Sequence, residues 1–171
     1  AFEKLPGCAG IKVFMGSSTG ELLVEDDEGV ASILAQTNRR AAFHSEDEFR
    51  LRQRLGEQIA GNSASHPVWR DAEAARLCTE RLIRIARQTG KRIHVLHVST
   101  ADEMPLLAAN KDVATVEITP HHLTLSSDDY PRLGTLLQMN PPVRSKEHQR
   151  AIWQALQSGL VDILSSDHAP H

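Results

Sequence analysis

Histidine, aspartate and lysine side chains occur at the ends of apolar runs in this sequence, or within them. His44, His97 and Asp167 each follow a short apolar run, and Lys12 lies inside a fourth run between apolar neighbours. Imidazole and carboxylate groups are common ligands of zinc. Side chains at the carboxyl ends of parallel strands meet at one face of a barrel. The pattern therefore predicts a metal site assembled from the ends of several strands.

Lys12 is unusual because a charged ammonium group is costly to bury within an apolar strand. The side chain could reach the rim of the sheet or pair with a carboxylate. Alternatively, its amine could react with CO₂ to give a carbamate. A carbamate is an anionic ligand with two oxygens, and it could bridge two metal ions about 3.5–4 Å apart.

Two histidines compete for the metal site in the run Ile93–Ser99. Side chains alternate between the faces of a strand, so His97 would share the face of Ile93 and Val95, and His94 would lie on the opposite face. The position at the end of the run favours His97 as the ligand. His94 is expected to pack under a helix.

Strand-like runs alternate with helical patterns along the chain, as in a parallel α/β sheet. The pattern fits either an open doubly wound sheet or part of a (β/α)₈ barrel. No glycine-rich phosphate-binding motif follows a strand, and functional residues at several strand ends favour the barrel. We therefore predict an α/β fold that forms part of a TIM-type (β/α)₈ barrel. The predicted parallel strands are Gly10–Met15, Arg39–Ser45, Arg92–Ser99, Val113–Thr119 and Val161–Ser166.

Apolar spacing and capping residues predict the helices between these strands. They are Asp26–Thr37, Glu46–Ala60, Val68–Thr89, a helix beginning at Thr100, and Ser145–Ser158.

The residues Pro120–Arg144 are predicted to form a long irregular connection, and loops of this length are commonly functional. Within it, Asn140 precedes two prolines that could present its amide to a ligand, although asparagine is also common in plain turns. Arg144 is interpreted as a surface charge, and His66 and His148 as solvated side chains. The pair His121-His122 could face a substrate or pack internally.

Composition argues against several classes of protein. The net charge is −3, with 19 basic and 22 acidic residues, and no basic stripe suggests a nucleic-acid partner. No apolar run approaches the roughly 20 residues of a membrane span, and no signal-peptide pattern opens the chain. Cys8 and Cys78 are expected to be reduced thiols, which favours a cytoplasmic protein. Because the chain does not begin with methionine, we expect a central piece of a longer polypeptide.

Six motifs, in a preserved order along the chain, together resemble those of dihydroorotases, in the cyclic-amide branch of the amidohydrolase superfamily. They are Gly10–Gly16, His44–Asp47, His97–Thr100, Thr119–Leu123, Met139–Pro142 and Ser166–His171. Dihydropyrimidinases and allantoinases carry similar lysine and histidine motifs. The loop around Asn140 and the ending Asp167–His171 most resemble dihydroorotase.

This resemblance implies a role for individual residues. The positions that match the metal ligands of the family are Lys12, His44, His97 and Asp167. Asp167 is also the expected catalytic acid–base residue, while Asn140 and His171 match substrate-binding positions. The implied cofactors are two divalent metal ions, expected to be zinc, and a CO₂-derived carbamate on Lys12.

The resemblance also implies a reaction and partners. The expected function is the metal-dependent interconversion of dihydroorotate and N-carbamoyl-L-aspartate in pyrimidine biosynthesis, by an enzyme that is a homodimer and could associate with aspartate transcarbamoylase. One alternative is a cyclic amidase of the hydantoinase, dihydropyrimidinase or allantoinase type. Another is a catalytically inactive dihydroorotase-like protein that serves as a structural partner of aspartate transcarbamoylase.

One family motif does not occur in this sequence. Dihydroorotases carry a His-x-His pair at the end of the first barrel strand, and no such pair is found in the 171 residues. The resemblance therefore assigns residues 1–171 to the central and C-terminal part of the barrel, strands four to eight, without the first three strands. Since one metal would lose two ligands, we expect this segment to be inactive by itself.

Overall fold

Five parallel strands form one sheet in the computed structural model, which describes residues 2–18 and 22–168. Neighbours in the sheet are neighbours in the chain, in the order β1-β2-β3-β4-β5. The strands are β1 Lys12–Phe14, β2 Ala41–His44, β3 Ile93–Val95, β4 Ala114–Ile118 and β5 Ile163–Leu164. Such an order is that of a barrel wall, so the predicted α/β fold with parallel strands is confirmed.

Helices connect the strands, and aspartates cap the helices that the sequence predicts best. The helices are α1 Asp27–Gln36, α2 Glu48–Arg54, α3 His66–Trp69, α4 Ala72–Thr89, α5 Glu103–Ala108, α6 Pro120–Thr124, α7 Tyr130–Leu133 and α8 Lys146–Gln157. Short 3₁₀ helices are Phe2–Lys4, Leu55–Glu57, Ser63–Ser65, Ser127–Asp129 and Gly134–Leu137. Asp26 accepts a hydrogen bond from the Gly29 amide at the start of α1. Asp71 does the same for Ala74 at the start of α4, and this cap divides the predicted helix Val68–Thr89 into α3 and α4.

The strand register separates an apolar face of the sheet from a polar one. Val13, Phe43, Val95 and Val116 lie side by side in neighbouring strands, and all four are buried. They pack into the main apolar cluster together with residues of α1, α4, α5 and α8. Burial of each large side chain in this cluster contributes about 1.5–3 kcal/mol to stability. The core therefore lies between the sheet and its helices.

The opposite face of the sheet, which we call the inner face, carries polar side chains. Lys12, Ala42, His94 and Thr115 form one row across β1 to β4. The His94 ring contacts Thr115 Oγ1 at 2.9 Å and Glu117 Oε2 at 3.2 Å. The prediction that His94 packs under a helix is therefore wrong, since it lies on the inner face.

The face assigned to His97 is also wrong, because β3 is shorter than predicted. The strand ends at Val95, and His97 has a left-handed backbone with φ of 36°. Alternation along an eight-residue strand does not apply beyond that end. His97 nevertheless reaches the carboxyl edge of the sheet, where the sequence predicts it.

The long connection between β4 and β5 contains α6, α7 and two 3₁₀ helices rather than irregular backbone. It has a small apolar cluster of its own, formed by Tyr130, Leu137 and Val143. This packing fixes the position of the segment that carries Asn140.

Two further sequence expectations concern the thiols and the membrane. Cys8 and Cys78 are both free thiols, and Cys78 is fully buried, which raises the pKa of its thiol to about 12. Across the described ranges, each helix is too short or too polar to cross a bilayer.

Candidate active site

The carboxyl ends of the strands open into a cavity of about 600 Å³. Side chains from all five strand ends and from the Asn140 segment reach its wall. They include Lys12, His44, His97, His121, Asn140 and Asp167. The structure thus gathers the four predicted metal ligands and one predicted substrate-binding residue around one space. His171, the other predicted substrate-binding residue, lies outside the described residues, and the roles of all six stay predictions.

His44 and His97 face each other in the floor of this cavity. The distance from His44 Nδ1 to His97 Nε2 is 3.1 Å, and the side chains are only 1% and 2% exposed. Two imidazole nitrogens bound tetrahedrally to one zinc ion, at about 2.0–2.1 Å each, would lie about 3.3–3.4 Å apart. The pair is therefore close to the spacing of two ligands of one ion.

Glu46 supports His44 from the side away from the cavity. His44 Nε2 lies 3.0 Å from Glu46 Oε2, and Glu46 is fully buried. Burial alone opposes the charged carboxylate, but the Arg70 guanidinium at 2.5 Å and the His44 hydrogen bond hold the pKa of Glu46 well below its usual range. A carboxylate can only accept, so His44 Nε2 carries the hydrogen, and Nδ1 is the ring nitrogen that faces His97. Metal-binding histidines are commonly oriented by a carboxylate in this way.

Both positive-φ residues other than glycine, within the described part of the chain, are predicted ligands. His97 has φ of 36° and Asp167 has φ of 48°. This conformation is uncommon for side chains with a Cβ and costs on the order of 1–3 kcal/mol, typically at functional sites. Burial, together with the neighbouring His44 and His122, keeps the pKa of His97 well below its ordinary value, so its ring is neutral.

Lys12 and Asp167 form the second pair on the cavity wall. Lys12 Nζ lies 3.7 Å from Asp167 Oδ1, with the two side chains 44% and 33% exposed. Of the alternatives for Lys12, the structure shows the lysine paired with a carboxylate: its side chain projects from the inner face over the Phe14 ring, 4.9 Å from the ring centroid. An ion pair this exposed contributes about 1 kcal/mol or less. It leaves the amine accessible from the cavity.

The positions of the side chains that could bind a metal show whether an ion would fit between them. Within residues 2–18 and 22–168, no three His, Cys, Asp or Glu side chains converge on one point. The donors form two pairs on one wall instead, His44 with His97 and Lys12 with Asp167. Two imidazoles, one of them backed by a buried carboxylate, and a facing carboxylate are a donor set that suits zinc. The residues present therefore fit metal binding shared between the two pairs.

Comparison with known proteins places these features in a family. No protein-family model matches the chain. The chain is 34% identical over 170 residues to the dihydroorotase of Halobacterium salinarum, a match that covers 94% of the chain and 37% of that protein. The allantoinase of Streptomyces avermitilis is also 34% identical, over 96% of the chain and 38% of its own length. The chain thus spans less than two fifths of these relatives.

The same agreement extends to solved structures. An L-hydantoinase (dihydropyrimidinase) from Arthrobacter aurescens superposes with a TM-score of 0.86 at 26% identity, over 96% of the chain and 39% of that structure. The dihydropyrimidinase of Brevibacillus agri matches with the same TM-score and identity, over 98% and 39%. This chain is a dihydroorotase-like amidohydrolase segment. The resemblance that its motifs indicate is thereby confirmed.

Two buried arginines in this dihydroorotase-like segment were missed by sequence reasoning. Arg144, interpreted as a surface charge, is buried and donates from Nη1 to the Arg70 carbonyl oxygen. Its Nη2 lies 3.8 Å from Glu46 Oε1. Arg70 in turn donates to Glu46. Glu46 lies two residues after a predicted ligand, which is a usable signal, but neither arginine is near it in the sequence.

Two histidines described as solvated are also packed inside the dihydroorotase-like segment. His66 is buried, with Nε2 at 3.0 Å from the Met139 carbonyl oxygen. His148 is half-buried, and its Nδ1 accepts a hydrogen bond of 2.9 Å from the Ala101 amide. Their partners are distant in the sequence, so local polarity gave no indication of burial.

Proposed function

We propose that this chain supplies the metal-binding and substrate-binding part of an enzyme that interconverts dihydroorotate and N-carbamoyl-L-aspartate in pyrimidine biosynthesis. The observation that supports this most is the His44–His97 pair, backed by Glu46, in a cavity that also contains the Lys12–Asp167 pair. The cavity volume of about 600 Å³ accommodates a small ring, since ligand pockets are typically about 300–1,000 Å³. We further propose that β1 to β5 correspond to strands four to eight of a complete (β/α)₈ barrel.

The residues that would hold two divalent ions, zinc in this proposal, are His44, His97, Asp167 and a carbamate formed on Lys12. When bound, the metal would polarise the ring amide carbonyl and lower the pKa of water. Asp167 would take the proton of the attacking water and deliver it to the leaving ring nitrogen. Its partly exposed carboxylate at the cavity mouth supports that role. Asn140 and His171 would hold the substrate.

A panel of cyclic amides tests the proposed substrate in the metal-loaded, full-length enzyme. We expect turnover of dihydroorotate to exceed that of dihydrouracil, hydantoin and allantoin, because those compounds lack the ring carboxylate of dihydroorotate. A preference for an uncharged ring would instead favour the second candidate, a hydantoinase or allantoinase type of amidase. This second candidate is supported by the similarity of the chain to an allantoinase and to hydantoinase structures.

The variant Asp167→Asn tests the catalytic proposal. Loss of the acid–base group should lower kcat by about 10²–10⁴-fold, while bound metal, measured by elemental analysis, stays within a few-fold of the parent enzyme. Unchanged turnover would remove Asp167 as the base. A parent enzyme that binds metal but turns over none of the panel would support the inactive structural partner of aspartate transcarbamoylase.

The carbamate on Lys12 has a separate test. Incubation of the full-length protein with ¹³C-bicarbonate and zinc should give a carbamate carbon signal that Lys12→Ala lacks. A signal of equal strength in Lys12→Ala would contradict the assignment. Homodimer formation, association with aspartate transcarbamoylase and a cytoplasmic location stay predictions of the family resemblance.

A further inference from the structure

Two buried histidines outside the predicted ligand set hold the segment Met139–Pro142, which carries Asn140. His66 lies at the start of α3, and His122 lies in α6. Both are buried, and neither lines the cavity of about 600 Å³ that the predicted metal ligands share. The proposed reaction assigns them no role.

His66 determines which way the Asn140 amide is turned. Its Nε2 lies 3.0 Å from the Met139 carbonyl oxygen and 3.1 Å from Asn140 Oδ1. A carbonyl oxygen can only accept, so Nε2 must carry the hydrogen. The same N–H then faces the Asn140 side chain, which must present its oxygen to it. The amide nitrogen Nδ2 therefore remains as the group that Asn140 can offer to the cavity, whose wall it forms in part.

His122 holds the following residue by the same kind of contact. Its Nε2 lies 3.1 Å from the Pro141 carbonyl oxygen, and its Nδ1 lies 2.6 Å from Thr119 Oγ1. The ring donates through Nε2 and accepts the threonine hydroxyl through Nδ1. Burial lowers the pKa of His122 to about 3 and lowers that of His66 as well, so both rings are neutral and keep one donor each. The two donors bind the carbonyl groups on either side of Asn140.

We propose that His66 and His122 are positioning residues that orient Asn140 with its amide NH₂ towards the cavity, so that the site selects a substrate with an acceptor oxygen at that point. This inference deepens the proposed function and rests on it. The acceptor is a carbonyl or carboxylate oxygen of the ring compound. A histidine clamp on both flanking carbonyls fixes the amide before the substrate arrives, which avoids part of the ordering cost of binding.

The variant Asn140→Asp tests the orientation of the amide directly. It keeps the oxygen that accepts from His66 and replaces the cavity-facing NH₂ with a second oxygen. The substrate loses a hydrogen-bond donor and meets an acceptor instead, so KM for dihydroorotate should rise about 10-fold or more, with kcat changed less. An unchanged KM would overturn the proposal, since it would mean that the amide oxygen faces the substrate.

A second substrate distinguishes whether the acceptor oxygen belongs to the carboxylate or to a ring carbonyl. Dihydrouracil has the ring carbonyls of dihydroorotate but no carboxylate. If Asn140 donates to the carboxylate, Asn140→Asp should raise KM for dihydroorotate and leave that for dihydrouracil unchanged. If it donates to a ring carbonyl, both KM values should rise. Either result supports a donor at this position.

The clamp itself is tested by pairs of variants at each histidine. His66→Leu should raise KM without changing bound metal, and His66→Gln, whose side-chain amide can donate in place of Nε2, should restore it. The pair His122→Leu and His122→Gln should behave alike. His148→Leu is a matched control, because it removes a packed histidine that contacts Ala101 instead of this segment. Equal KM values for the leucine and glutamine variants would overturn the positioning role.

A readout without turnover separates this inference from the proposed function. Imidazole ¹⁵N NMR of the full-length protein should show His66 and His122 as neutral rings protonated at Nε2. A ring protonated at Nδ1 alone, in either residue, would overturn the clamp whether or not the enzyme is active. A parent enzyme that turns over no cyclic amide, with both rings protonated at Nε2, would refute the proposed function and leave the clamp supported.

Discussion

At the scale of single residues, Glu46 connects the predicted metal site to the interior of the protein. It accepts from His44 and from Arg70, and it is fully buried. Glu46→Gln removes the charge that fixes the His44 tautomer, and loss of such a supporting group typically lowers metal affinity about 10–100-fold. Chelator competition on the full-length protein measures this affinity.

Stability must be followed in the same variant, because Glu46→Gln also leaves Arg70 without its counter-charge. Breaking a buried ion pair costs about 3–5 kcal/mol, so thermal unfolding of the metal-free protein should show a clear decrease. Glu48→Gln is a matched control, since Glu48 is also buried but binds Ser17 instead of a histidine. Equal metal affinities of the two folded variants would contradict the role of Glu46.

At the scale of elements, Gly16 allows the end of β1 to lie against the residues that follow β2. A Cβ at Gly16 would lie 2.6 Å from the Glu46 carbonyl oxygen and 2.9 Å from Glu46 Cβ. Gly16→Ala must therefore push Glu46 away, at a cost of about 1–3 kcal/mol, and it should weaken metal binding as well. Urea unfolding and chelator competition measure the two effects.

The control for Gly16 is provided by another glycine. A Cβ at Gly56 would meet nothing within 4 Å, so Gly56→Ala adds the same methyl group without a clash. It should leave both measurements close to those of the parent protein. A Gly16→Ala variant as stable as Gly56→Ala would show that the two strand ends can separate without loss.

A buried carboxyl group links α4 to the start of α5. Glu103 accepts from Thr79 Oγ1 at 2.7 Å and from Thr100 Oγ1 at 2.8 Å, and burial raises its pKa above the ordinary value of 4.5. The folded state therefore binds this proton more tightly than the unfolded state does. Its contribution to stability is present below about pH 4.5 and is lost as the pH rises through the folded-state pKa.

The variant Glu103→Gln removes this titration. Relative to the parent protein, its free energy of unfolding should increase as the pH is raised from about 4 to 7, by at most about 1.4 kcal/mol per pH unit. Urea unfolding at several pH values measures the difference. A difference that stays constant with pH would show that the pKa of Glu103 is the same in the folded and unfolded states.

At the scale of the whole molecule, protection from hydrogen exchange in the 171-residue segment by itself should fall from the centre of the sheet to its edges. β3 lies between two strands and under α4, whereas β1 and β5 each pair with one strand within the described residues. Local opening requires less free energy where fewer contacts are broken. Exchange followed by mass spectrometry should find the slowest amides in β3 and α4. Protection of β5 equal to that of β3 would mean that a further segment pairs with β5.

The sequence predicts the order of elements well, because periodicity and capping are local. Asp26 and Ser145 mark helix starts within a residue or two of where they occur. The site residues that lie at strand ends could be predicted, because an apolar run followed by a histidine or aspartate is a local pattern. The face of His97 was not, because a left-handed residue after a short strand breaks the alternation.

The supporting contacts of the site depend on residues that are distant in sequence. His66 and Asn140 are 74 residues apart, as are Arg70 and Arg144. No spacing rule connects such positions, so polarity alone placed His66 and Arg144 at the surface. Only the assembled fold shows that both are buried.

The separation of the paired histidines also bears on when a metal can be acquired during biogenesis. His44 and His97 are 53 residues apart and approach each other because β2 and β3 pair in register. Before the sheet forms, bringing the two histidines together requires closing a long loop, which costs entropy. The sheet must therefore form before these two histidines can bind the same ion. In the proposed metal enzyme, ion binding by this pair would therefore be a late maturation step that follows pairing of β2 with β3.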